Sequence, residues 1–296
     1  MLIFAVGCSD DESDGGAGPV LDGFPDATLG ADAMQARVWA SGSAPKVFAS
    51  GQLPISLAEL ELDLNEGTCP VKTMTGTTTT YEGGCTDTNG NTWTGRAVSS
   101  ELSMTYDGFG FSETEDCNGQ QVAESVSYSG TLTLSGDETA LAFDLDLQSE
   151  GMGADEESCV AASFMSALSY QGEMREGTED ADADGEPDDQ IWNGSGRLGN
   201  NIYGVADVET VDEVTNDVAC DSEAVAGATT IRAGGHAIVI GYDGATDCDE
   251  DSTVRWSLDG VDQGELTGVT CSTGRPGGGL LLLVVGALVL RRRRSK

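Results

Sequence analysis

Val126–Leu147 reads VSYSGTLTLSGDETALAFDLDL, and this stretch decides the fold. Leu132 and Leu134 stand two apart before a turn at Ser135–Asp137; Leu141, Phe143 and Leu145 stand two apart after it. Period two puts alternate side chains on one face of a strand. The stretch therefore predicts two antiparallel strands with matched apolar faces and a tight turn between them. The same plan extends in both directions. Toward the N-terminus, CTDTNGNTWTGRAVSS (85–100) places Asn89-Gly90, a direct hairpin signal, between polar and aromatic runs. Toward the C-terminus, TTIRAGGHAIVIGYDG (229–244) and STVRWSLDGVDQGELTGV (252–269) repeat strand, turn, strand. An aromatic followed two residues later by glycine recurs at Tyr81, Trp93, Tyr106, Tyr128, Tyr170, Trp192 and Tyr242. Both residues of such a pair share a strand face, so an aromatic of one strand can cover a glycine of its neighbour in a curved sheet. The spacing is too irregular for a propeller or solenoid.

The region ahead of Cys69 differs. Ala31–Ala40 (ADAMQARVWA) has helical composition, and Leu57–Leu64 (LAELELDL) fits a helical turn or a strand. The predicted fold is mainly β: one antiparallel meander, strongly twisted or partly closed, with a short helical N-terminal segment on one side. The chain divides into a truncated signal (1–8), an acidic tether (9–23), the helical segment (24–68), the β domain (69–271) and a C-terminal tail (272–296).

Six of the 14 basic residues lie beyond Cys271, which leaves 8 against all 51 acidic ones in the rest of the chain. Such a surface repels phosphate backbones, so nucleic acid is not an expected partner; divalent cations and basic partners are attracted. Eight cysteines stand at 8, 69, 85, 117, 159, 220, 248 and 271. With Cys8 and Cys271 set aside as signal residues, Cys69, Cys85, Cys117, Cys159, Cys220 and Cys248 form an even set that favours three disulfides in an exported chain. Pairing nearest neighbours would clip three hairpins or short meanders. The lone His236 cannot complete a zinc site with such scattered cysteines.

The chain ends CSTGRPGGGLLLLVVGALVLRRRRSK (271–296). Leu280–Leu290 is 11 residues long, or 14 with Gly277–Gly279. As a helix it would reach roughly 21 Å, short of a ~30 Å hydrocarbon core. Four arginines then act as a stop on the cytoplasmic side. This cysteine, short apolar run and arginine cluster resembles the MYXO-CTERM family of bacterial surface-sorting tails. The resemblance covers about the last 26 residues and implies export, a processing protease acting near Cys271, and retention at the cell surface. At the other end, MLIFAVGC is similar to the close of a bacterial lipoprotein signal, with Gly7 before a lipidated Cys8; Ala5 departs from the usual leucine. That likeness implies a membrane anchor through lipid on Cys8.

EDADADGEPDDQ (179–190) carries the strongest ligand pattern. Asp180, Asp182 and Asp184 alternate, Gly185 permits a sharp bend, and Glu186 and Asp188 follow; convergent oxygens on a tight loop suit calcium. The start resembles calcium loops of the EF-hand and thrombospondin type 3 kinds. It departs from the EF-hand in having Ile191 at the twelfth position and Pro187 where an apolar residue packs. The patches Asp247–Asp251 and Asp155–Glu157 read as solvated loops. The chain has no G-x-S-x-G, H-E-x-x-H, P-loop or Rossmann fingerprint. His236, on a predicted strand, reads as structural. The expected function is a non-enzymatic, surface-anchored lipoprotein that binds, adheres or builds envelope structure. Two alternatives are a secreted hydrolase with paired carboxylates in a sheet cleft and a carrier with an apolar cavity inside the curled sheet.

Overall fold

A computed structural model describes residues 21–64, 67–137, 139–154, 159–180, 183, 185, 187–216, 218–220, 222–248, 253–267 and 269. Cys8, Cys271 and the C-terminal tail lie outside the described residues. Two helices come first, α1 (Ala33–Trp39) and α2 (Ala44–Leu64). Fourteen strands follow: β1 (Val71–Thr75), β2 (Thr78–Glu82), β3 (Cys85–Thr86), β4 (Thr92–Ser99), β5 (Ser103–Cys117), β6 (Gln120–Gly136), β7 (Ala140–Ala154), β8 (Ala161–Glu176), β9 (Gln190–Asn200), β10 (Gly204–Thr215), β11 (Ala226–Ala233), β12 (His236–Gly241), β13 (Thr253–Leu258) and β14 (Val261–Thr267). They form one antiparallel meander in chain order, with β3 beside β4 and off the main path. The sheet is not closed: β1 and β14 are its edges.

The decisive stretch pairs as its alternation requires. Leu132 lies opposite Leu145, Leu134 opposite Phe143 and Gly136 opposite Leu141. Most buried inward residues join one cluster with the helices, while Cys117, Val122 and Cys159 form a second, smaller one. The α2 helix packs against β5 to β10, and α1 reaches β14. The sheet thus curls around the helices. Its outward positions on β7 and β8, such as Asp144, Asp146, Gln171 and Glu173, are polar. That polarity is opposite to the lipid-facing band of a membrane barrel.

Sequence patterning marked only Leu57–Leu64, the last part of α2, and left it open between a helical turn and a strand. The helix starts at Ala44 and contains Gly51 and Pro54, two residues of poor helix propensity. Burial overrides them. Leu53, Leu57, Ala58 and Leu62 are buried, and Phe48 meets Phe143 at 5.2 Å and Trp192 at 5.5 Å between ring centroids. Gly51 is what lets the helix sit on the sheet: a Cβ there would lie 3.0 Å from Leu145 and 3.2 Å from Leu132. The Tyr106 hydroxyl donates to the Gly51 carbonyl at 2.6 Å.

Aromatics do cover neighbouring glycines. Phe143 lies opposite Gly172, where an added Cβ would come within 2.4 Å of its ring; Tyr170 lies opposite Gly196 and leans diagonally over Gly194, where an added Cβ would come within 2.5 Å of its ring. Phe143 and Tyr170 stack at 6.1 Å. The recurrent unit is therefore a core-packing device. Three disulfides join sequence neighbours, Cys69–Cys85, Cys117–Cys159 and Cys220–Cys248. Such bridges form and persist in oxidising compartments and fit an exported domain.

Candidate binding groove

The inner face of the sheet carries the apolar core. Outside it, a groove of about 780 Å³ crosses β4 to β8. Register shows how it is built. One outward row runs Ser112, Ser125, Met152, Ser163, each opposite the next on the adjacent strand. The next row runs Ser127, Glu150, Met165, again as direct cross-strand partners. Asn201 extends that row: its side-chain oxygen accepts the Met165 N–H and its own N–H donates to the Met165 carbonyl, both at 3.0 Å. Phe24 and Pro25 also line the groove. The row between the two points inward as Phe111, Val126, Gly151 and Phe164. The groove floor there is main chain. Gly151 tightens it further, since a Cβ at that point would meet the Ser125 carbonyl oxygen at 2.0 Å. Small hydroxyl side chains above bulky inward ones leave a hollow on the outer face. Met152 and Met165, 42% and 37% exposed, are its apolar walls, and Glu150 is its one charge among the lining residues.

A second feature lies in the interior, where α2 begins. β10 carries a bulge between Thr210 and Val214, with Asp212 at φ 47°. The extra residue reverses the alternation, so Glu213 turns inward and is fully buried. Neither of its carboxyl oxygens has a hydrogen-bond partner. Burial pushes the carboxyl up to about 8, against smaller opposing effects of Lys46 and Ser43. A chain of hydroxyls runs beside it: Tyr170 to Thr210 at 3.2 Å, Thr210 to Thr229 at 3.2 Å, Thr229 to Tyr242 at 3.0 Å. Thr210 Oγ1 also accepts the Ala44 N–H at 3.0 Å and so caps the first turn of α2. This network positions the helix; it does not open to the groove.

The residues singled out by sequence are scattered. In the acidic loop, Asp180 Oδ2 accepts the Gly185 N–H at 3.0 Å. Asp188 donates its N–H to the Glu179 carbonyl at 2.8 Å, and the neighbouring Asp189 carboxylate accepts the Glu179 N–H at 2.8 Å. Asp182, Asp184 and Glu186 lie outside the described residues. Among the described residues no three Asp, Glu, His or Cys side chains gather as metal ligands. His236 Nδ1 pairs with Asp259 Oδ2 at 2.7 Å on the exposed rim, where the imidazole holds that carboxyl below its ordinary value. The groove residues were invisible to motif reading: serines on the polar face of a strand look like any solvated row. No family model matches the chain, and comparison with curated proteins and with solved structures finds no match.

Proposed function

We propose that this is an exported, surface-anchored binding domain without catalytic role, which docks a basic, partly apolar segment of a partner protein along the outer groove. One observation carries the reading: two matched cross-strand rows build a hollow whose walls are methionines and whose charge is Glu150. Methionine suits a surface that must fit an irregular apolar partner. The groove volume lies within the ordinary range for ligand sites. Net charge of −37 favours a cationic partner and speeds its approach. The terminal signals complete the reading, with lipid on Cys8 as anchor and the tail beyond Cys271 as a sorting device.

The test is fluorescence anisotropy of the full chain with a labelled peptide of alternating lysine and leucine. Glutamate–leucine peptide of equal length is the control. The lysine peptide should bind, and Glu150→Lys combined with Met165→Ser should weaken it at least about tenfold, the effect of about 1.4 kcal/mol. Equal binding by the double variant would refute the groove.

A further inference from the structure

The Cys220–Cys248 bridge ties the loop after β10 to the loop after β12. Between them, backbone pairing drives two carboxyl groups together. The Asp243 N–H donates to Glu223 Oε1 at 2.8 Å, and the Gly244 N–H donates to the Ala224 carbonyl at 3.2 Å. Gly244 allows this approach: a Cβ on it would stand 3.2 Å from Cys220 Sγ and 3.3 Å from Glu223 Cβ. Glu223 is only 2% exposed. Its Oε2, and Oδ1 of Asp243, are both buried with no hydrogen-bond partner. Buried carboxylate oxygens carry a high cost unless something positive or a donor meets them. Here the nearest charges have the same sign.

We propose that Glu223 and Asp243 form a site for a hard divalent cation of the calcium type, with Glu223 Oε2 and Asp243 Oδ1 as its anionic ligands. Calcium takes six to eight oxygens at flexible geometry, so carbonyls and water complete the shell of a two-carboxylate site. Few anionic ligands place the affinity near the ~10⁻⁴–10⁻³ M range of extracellular modules. The disulfide holds the two ligand loops at fixed spacing, so little ordering is needed on binding. The ligands lie 20 residues apart in sequence, which is why a one-loop calcium pattern does not reveal them.

The test is thermal unfolding of the full chain in millimolar calcium, with magnesium and sodium controls at matched ionic strength. Calcium at about ten times its Kd should raise Tm by roughly 2–6 °C, more than magnesium does. Glu223→Gln and Asp243→Asn should each remove the shift, and Asp180→Asn should keep it. Should a neutral variant fail to fold, Glu223→Asp retains the charge and should weaken calcium binding at least about tenfold by isothermal titration. A wild-type Tm unmoved by calcium would overturn the proposal. An equal shift in Glu223→Gln would mean diffuse screening and overturn it as well. Loss of the shift in Asp180→Asn alone would move the ion to the other acidic loop and also overturn it.

Discussion

The two faces of β5 to β8 are made from the same four strands and differ in every physical respect. The inner face carries Phe109, Tyr128, Leu132, Leu145, Leu147 and Tyr170, all almost fully buried against each other or α2. The outer face above it carries serine, aspartate and the half-exposed Met152 and Met165. Side-chain size explains the contrast. Bulky inward residues and glycines facing them set the curl, and small outward residues leave bare main chain where the sheet bends. The inner face determines stability and the outer face is free to determine binding. Substitutions should separate cleanly along that line.

The largest separation is in pH dependence. Glu213 is buried on the inner side with its carboxyl raised from an ordinary 4.5 to about 8. A raised folded-state value means that the folded protein keeps its proton while the unfolded chain loses it. Stability is therefore full below about pH 4.5 and falls as pH rises to about 8, by a total of order 4 kcal/mol. Glu213→Gln should remove that share of the slope and leave the protein more stable than wild type at pH 8, measured by urea unfolding across the range. Wild-type and variant curves that stay parallel would show that Glu213 is not held protonated. Next comes Leu145→Ala. This side chain is fully buried under Gly51, and its loss should cost about 3 kcal/mol through transfer and cavity effects. Gly172→Ala should cost about 1–3 kcal/mol, because the Phe143 ring must leave its stack with Tyr170. Met165→Ala on the outer face should change stability by less than about 0.5 kcal/mol while weakening the lysine–leucine peptide. A large loss of stability there would merge the two faces.

Much of the inner face was legible in sequence. The alternation through Leu132, Leu134, Leu141, Phe143 and Leu145 specified both register and inward face, because one buried face fixes period two. The aromatic–x–glycine units pointed to a curved sheet, and Tyr170 of one unit over Gly194 of the next bears out the mechanism. The start of α2 was hidden because Gly51 and Pro54 are punctuation in a local reading and acceptable only under burial by the sheet. Glu213 was hidden for a related reason. Its inward turn depends on one extra residue at Asp212, and alternation alone would face it to solvent. The groove was hidden because its parts come from five strands, each of which contributes one to three unremarkable residues.

Methyl NMR of the full chain labelled at methionine reads both faces at once. Met152 and Met165 stand on the groove, Met104 and Met174 pack inward, and Met34 and Met74 are exposed at a distance from it. On titration with the lysine–leucine peptide, the Met152 and Met165 methyls should shift while the other four hold. Equal shifts at Met34 and Met74, or movement of Met104 and Met174 with the groove methyls still, would contradict the assignment of binding to the outer face.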